Sequence, residues 1–357
     1  MRMLAPLVVA ALVAVGVAGA PTTPATAASA VGSAQTKATA AAPALAPLAT
    51  AAIPGPRGGV QRFAGADRYA VAVAVSQYSF VADDPNANVV YLVNGGDFPD
   101  ALGASAAAGQ RGAPLLLTTP AALPGATRDE IARLRPDRIV VVGGPASVSE
   151  AVVGELRAIR TGVTVERVQG ANRYEVSAAL AATAFPSATT AFVATGTGYA
   201  DALAAAAVAG SRGNPVLLAQ PGDTATIVQT LASRRITSVV IVGGTASVTQ
   251  ATEDAIRARG IAIERIGGAD RYAVSAAIAA RFLPNADYAF LATGGGFADA
   301  LSAGALAADL DAPLLLVQPT CIPGSVADRL QAMAADYWKI AGGPASVGDA
   351  VAAGTRC

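Results

Sequence analysis

The same stretch of sequence is written three times along this chain, and its punctuation repeats more faithfully than its filling. Gly65-Ala66-Asp67-Arg68-Tyr69 returns as Gly170-Ala171-Asn172-Arg173-Tyr174 and as Gly268-Ala269-Asp270-Arg271-Tyr272. A second mark runs from Asn94 to Leu102, with Phe98-Pro99-Asp100-Ala101-Leu102 echoed by Tyr199-Ala200-Asp201-Ala202-Leu203 and Phe297-Ala298-Asp299-Ala300-Leu301. A third closes each unit: Gly143-Gly144-Pro145-Ala146-Ser147-Val148, Gly243-Gly244-Thr245-Ala246-Ser247-Val248 and Gly342-Gly343-Pro344-Ala345-Ser346-Val347. A repeat this long buries its own core, so it is a small globular module and not one rung of a solenoid. Three copies imply multivalent binding, because repetition multiplies avidity whereas a catalyst needs one good site.

Within a unit, short apolar runs alternate with Ala-rich stretches. In the first unit Gln61–Phe63, Val89–Val93, Leu115–Leu117 and Ile139–Val142 read as strands, being short, β-branched or Leu-rich and bounded by Gly or Pro. Val71 with Val75, Val176 with Leu180 and Val274 with Ile278 keep an i, i+4 spacing that predicts one buried helical stripe. Continuous apolar strands separated by helices imply an α/β fold with parallel sheets covered on both faces. Strand order is not legible at this stage. The predicted modules are 58–160, 161–260 and 261–357, and their short junctions imply that they pack against each other.

Residues 1–30 read as a secretion signal, with Arg2, an apolar run from Leu4 to Ala20 and small-residue sites at Ala25-Thr26-Ala27 and Ala28-Ser29-Ala30. Residues 31–57 are Ala/Pro/Thr-rich with little charge, which predicts a disordered tether. The expected destination is outside the cell, with no membrane span left after cleavage. Cys321 and Cys357 are the only two cysteines, and in an exported chain they are expected to form a disulfide. Arg2, Lys37 and Arg57 precede Gln61, so 22 of the 25 basic residues lie beyond it against all 25 acidic ones, a net charge of −3. No global field draws the chain to an anion, no nucleic-acid partner is expected, and any anion site must be local.

The repeated marks have two readings. Ser147 with Glu150 and Ser247 with Gln250 fit the capping-box spacing. Asp67, Asn172 and Asp270, like Asp100, Asp201 and Asp299, sit where a loop turns into a helix and suit N-caps. In the other reading, glycine loops at helix starts present amides to a phosphate or carboxylate. Arg68, Arg173 and Arg271 oppose the helix dipole and need a partner, either an anionic polymer group or a neighbouring module's carboxylate. Tyr69, Tyr174 and Tyr272, with Phe98, Tyr199 and Phe297, are aromatics kept at unit spacing, either core or sugar-stacking surface. The third unit departs at Trp338-Lys339-Ile340-Ala341, where a lysine within the strand pattern predicts an edge or an exposed strand end.

Taken together, the three marks resemble the cell wall-binding repeat 2 family from about Gln61 to Cys357. The resemblance implies exported modules of Gram-positive bacteria in three tandem copies, each Rossmann-like or Toprim-like, packed about a pseudo-threefold axis. It further implies non-catalytic, non-covalent attachment to the wall through an anionic secondary polymer held alongside peptidoglycan. Two alternatives stand beside it: a peptidoglycan amidase or its modifier, and an exported sugar- or nucleotide-binding α/β protein. The chain has no histidine, which removes the usual amidase zinc ligands, the Ser-His-Asp triad and the Cys-His pair. No Walker or dinucleotide fingerprint is present, so neither cofactor nor metal is expected. A carboxylate-pair glycosidase built on Asp100 and its copies stays formally open.

Overall fold

A computed structural model describes residues 52–81 and 85–357; the expected signal and most of the expected tether lie outside the described residues. Three four-stranded sheets, every pairing parallel, account for the strands. The first holds β2 (Val89–Asn94), β3 (Leu115–Thr118), β4 (Arg138–Val142) and β5 (Thr164–Val168), in the order β3-β2-β4-β5. The second repeats this with β6 (Thr190–Thr195), β7 (Val216–Ala219), β8 (Ser238–Val242) and β9 (Ala262–Ile266), in the order β7-β6-β8-β9. The third holds β10 (Tyr288–Thr293), β11 (Leu314–Val317), β12 (Tyr337–Ala341) and, at its edge, β1 (Val60–Phe63) from the start of the chain.

The sequence repeat and the sheet are therefore out of phase. β5 belongs to the segment 161–260 but completes the first sheet, pairing Val168 with Val142, and β9 completes the second by pairing Ile266 with Val242. β1 does the same for the third sheet, pairing Phe63 with Ala341. After each of these strands the chain crosses through G-A-[DN]-R-Y into a helix that packs on the next sheet. α1 (Arg68–Ser79) lies on β3, α5 (Arg173–Ala184) on β7 and α9 (Arg271–Phe282) on β11. The first repeated mark is thus the junction between modules, and the three modules close into a ring.

At the centre of the ring α2 (Leu102–Gln110), α6 (Ala200–Ser211) and α10 (Ala298–Asp309) pack on one another. These helices are Ala, Gly and Ser with little else, and α2 is buried from Leu102 to Gly109. Small side chains let the backbones approach closely: a Cβ on Gly109 would lie 2.3 Å, and one on Gly210 2.9 Å, from the Ala308 methyl. One methyl fills a space where three equivalent positions meet. The outer helices α3 (Gly125–Leu134), α4 (Glu150–Ile159), α7 (Thr224–Ser233), α8 (Gln250–Arg257), α11 (Gly324–Met333) and α12 (Asp349–Ala352) complete the modules. The predicted stripe of Val71, Val75, Val176, Leu180, Val274 and Ile278 is buried throughout.

Two expectations are corrected here. Lys339 marks neither an edge nor an exposed strand end: β12 lies between β1 and β10, and Lys339 is 5% exposed. Its ammonium donates to Tyr78 Oη at 2.7 Å and lies 4.4, 5.4 and 5.5 Å from the ring centroids of Tyr78, Tyr288 and Tyr337. One hydrogen bond and three ring faces replace the water that burial removes. The expected tether also ends earlier than residue 57. Ile53 is buried in the third module's core and its amide donates to Gly354 O at 2.9 Å, because one large aliphatic residue interrupts the Ala/Pro composition. Cys321 and Cys357 are joined there, and Cys357 N donates to Ile322 O at 3.0 Å.

Candidate functional site: three composite clefts

In each sheet the chain runs from the first strand to an outer neighbour and then back across to the other side. The loops after β2 and β4 thus diverge at the carboxyl ends of adjacent strands, where open α/β sheets form a crevice. The second and third marks are these two loops. Ser147 Oγ donates to Asp100 Oδ2 across the crevice at 2.6 Å, and Ser247 bonds Asp201 and Ser346 bonds Asp299 in the same way. Gly143, Gly243 and Gly342 hold φ of 106°, 106° and 113°, and a Cβ there would lie 2.7, 2.4 and 2.7 Å from an Asp oxygen. Glycine is required both by the left-handed backbone and by the close carboxylate.

The capping-box reading of Ser147 and Ser247 is therefore corrected. The N-caps of α4 and α8 are Ser149 and Thr249, which accept from Val152 N and Thr252 N. Asp100, Asp201 and Asp299 do not cap either, since the N-terminal positions Ala101, Tyr199 and Phe297 make no side-chain cap bond and the carboxylates turn to the serines. Asp67, Asn172 and Asp270 do cap α1, α5 and α9.

The third wall of each cleft comes from the following repeat. Arg68, Arg173 and Arg271 each donate through Nη1 to a strand-end carbonyl of their own module, Gly95, Gly196 and Gly294. Each guanidinium also lies over a neighbouring module's aromatic ring: Arg68 over Phe297 at 5.8 Å, Arg173 over Phe98 at 5.7 Å and Arg271 over Tyr199 at 5.6 Å. Among the described residues no carboxylate stands within ion-pair distance of these three, so of the two partners considered the neighbouring module's carboxylate is not found, and a carbonyl and a ring face stand there instead. Phe98, Tyr199 and Phe297 form a triangle, with centroids 5.6, 5.7 and 6.0 Å apart. Tyr69, Tyr174 and Tyr272 are not cleft-lining; their rings stand against Gly95, Gly196 and Gly294, with Tyr174 Cε1 2.4 Å from where a Gly196 Cβ would be.

Three equivalent clefts result, of about 300, 320 and 570 Å³. The first joins Asp97, Asp100 and Ser147 to Asn172 and Arg173; the second joins Asp201 and Ser247 to Asp270 and Arg271. The third joins Asp299 and Ser346 to Asp67 and Arg68, and Phe98 and Tyr199 also reach it. Burial raises the carboxyl pKa of Asp201 and Asp299, opposed by the serine hydroxyls and by Arg271 and Arg68 respectively.

A fourth repeated feature escaped the sequence reading. Arg62, Arg167 and Arg265, on β1, β5 and β9, donate to the carbonyls of Gly342, Gly143 and Gly243 at 3.1, 2.7 and 2.9 Å. They pair with Asp349, Glu150 and Glu253 at 3.1, 2.8 and 2.8 Å. The signal was present as an Arg one residue before the last strand position in Arg62-Phe63, Arg167-Val168 and Arg265-Ile266.

The model of Cell wall binding domain 2 (CWB2) matches residues 62–153, 167–253 and 265–352. The chain belongs to that family. It is 33% identical over 265 residues to the "Amidase enhancer" of Bacillus subtilis (strain 168), covering 74% of this chain and 35% of the relative. It is 28% identical over 258 residues to the N-acetylmuramoyl-L-alanine amidase LytC of the same organism, covering 72% of this chain and 50% of the relative. Two solved structures share the fold: Cwp6 from Clostridium difficile, with TM-score 0.75 and 26% identity over 84% of this chain and 48% of that one, and Cwp8, with TM-score 0.74 and 29% identity over 82% and 51%. The chain spans half or less of the length of these curated relatives. The CWB2 repeats end before β5 and β9 are complete, so the family unit, like the sequence repeat, is out of phase with the sheet. No helix among the described residues is long and apolar enough to cross a membrane.

Proposed function

We propose that this CWB2 protein is exported and attaches non-covalently, without catalysis, to the bacterial cell wall, each cleft holding a segment of an anionic secondary polymer alongside peptidoglycan. The observation that carries this reading is the recurrence of one composite cleft three times around a ring, each built from two successive repeats. Three linked sites on one rigid body raise avidity far above the affinity of any one. The Asp copies that a glycosidase would use are committed to serine hydroxyls, which favours binding over acid–base chemistry. Similarity to an amidase and to an amidase enhancer points to the kind of effector that such modules accompany.

The test is sedimentation of the secreted protein with purified walls before and after acid extraction of secondary polymers. Binding is expected to fall after extraction, and undiminished binding would remove the polymer reading. Ala146, Ala246 and Ala345 are exposed at the three clefts. Ala→Trp at one of them should cost more than a third of the binding, about tenfold, as loss of one arm of a trivalent contact predicts.

A further inference from the structure

Resting on the wall-polymer reading, we infer that the unit seated in each cleft is a hydroxyl-rich sugar ring, recognised by the Asp–Ser pair of one repeat and the arginine of the next, with any phosphate of the polymer left outside. Each cleft is lined by one arginine against two carboxylates: Arg173 against Asp97 and Asp100, Arg271 against Asp201 and Asp270, and Arg68 against Asp67 and Asp299. The second set of arginines does not reverse this balance, because Arg167, Arg265 and Arg62 are paired with Glu150, Glu253 and Asp349. A phosphate entering such a cleft meets more like charge than opposite charge. Its oxygens are acceptors only, as are the carboxylates'.

Sugar hydroxyls reverse that mismatch. An alcohol both donates and accepts, so adjacent hydroxyls can donate to a carboxylate or to the oxygen of Ser147 and its copies, whose own proton the carboxylate already takes, while accepting from a guanidinium. Donation to an ionised acceptor is the stronger kind of hydrogen bond, and the serine already holds each carboxylate in one orientation. Half-buried Phe98, Tyr199 and Phe297 line the third cleft and Tyr199 the second, giving the apolar side of a sugar an aromatic surface there. A cleft of 300 to 570 Å³ is of small-ligand size. The three copies then read three sugar units along one polymer or on neighbouring strands.

The sign of one substitution separates this inference from phosphate capture. Asp100→Asn, Asp201→Asn and Asp299→Asn combined keep shape and acceptor while removing three negative charges. Hydroxyl recognition predicts at least about tenfold weaker wall binding with the salt dependence unchanged, the magnitude expected when charged hydrogen bonds become neutral ones. Phosphate capture predicts tighter binding with a steeper salt dependence. Melting temperature serves as the fold control. The second arm uses the unmodified protein on walls treated with periodate, which cleaves between adjacent hydroxyl-bearing carbons and spares phosphodiesters. Binding is expected to fall by about tenfold or more. Binding that survives periodate, or that tightens in the triple Asn variant, overturns the inference while leaving the wall-polymer reading intact. Binding that survives acid extraction removes the wall-polymer reading itself. If the triple variant does not fold, the periodate arm decides.

Discussion

The first two sheets are closed by the strand that comes next in the chain, whereas the third is closed by the strand that comes first. β5 and β9 reach their sheets through a helix and a turn, so their loop-closure cost is local. β1 reaches β12 across almost the whole folded chain, and Gly342 N donates to Phe63 O at 2.9 Å where Gly143 and Gly243 donate to Val168 and Ile266 at 2.8 Å. The same bond is made at very different chain separation, and among the described residues the third module carries three fastenings that have no counterpart in the other two. These are Lys339 among three tyrosines, one of them from the first repeat, the Cys321–Cys357 bond, and Ile53 held against Gly354. Extra contacts gather where closure entropy is greatest.

Removing β1 should break this comparison most severely. A chain starting at Ala64 loses Phe63 from the core and the Arg62–Asp349 pair, and is expected to lose on the order of 5 kcal/mol of stability in denaturant titration. Exchange at β12 amides should rise while the second sheet stays protected, and a peptide of residues 52–67 added in trans should restore protection. Equal deprotection of all three sheets would show that the ring unfolds as one unit.

Next in size is the disulfide. Cys321→Ser with Cys357→Ser is expected to cost about 4 kcal/mol in the chain-entropy account, read as a lower denaturation midpoint. Mass spectrometry of the unreduced protein, purified with its thiols blocked, should find the two joined, and two free thiols there would refute the pairing.

Lys339 sharpens the contrast between central strands. Val140 and Val240 occupy its position in β4 and β8. Lys339→Ala is expected to cost about 3 kcal/mol, and a double-mutant cycle with Tyr78→Phe should return a coupling of about 1 kcal/mol. Val140→Lys, which would have Tyr91 and Glu166 in register beside it but not three tyrosines, should destabilise the first sheet.

The smallest effect is a pH dependence. Because burial raises the Asp201 carboxyl pKa, the folded state holds its proton to higher pH than the unfolded chain does. Stability from this group is therefore lost as pH rises from the ordinary carboxylate value through the raised one. Asp201→Asn should lack that loss, so its melting temperature relative to the parent should climb over that window. A flat difference would show that Asp201 is not desolvated.

Local patterns carried much of this molecule. Period and composition marked all four strand types and the buried stripe, because a covered parallel strand must be apolar on both faces and a packed helix on one. The caps at Asp67, Asn172 and Asp270 were legible for the same local reason. The caps at Ser149 and Thr249 were misplaced by two residues, since Ser147 with Glu150 and Ser247 with Gln250 fit the capping-box spacing that Ser149 with Val152 and Thr249 with Thr252 do not, and only the carboxylate across the crevice claimed the first pair of hydroxyls.

What the sequence by itself determined is the threefold repeat, the α/β module and the residues that recur, because each follows from periodicities confined to a few turns of chain. Which strand closes which sheet, which ring each arginine faces and why a central strand holds Lys339 were decided only by tertiary structure. Those choices join residues from different repeats: Phe63 with Ala341, Arg68 with Phe297, Lys339 with Tyr78. No local propensity encodes a partner that is distant in the chain, and the burial of one charge depends on side chains that only the closed ring brings together.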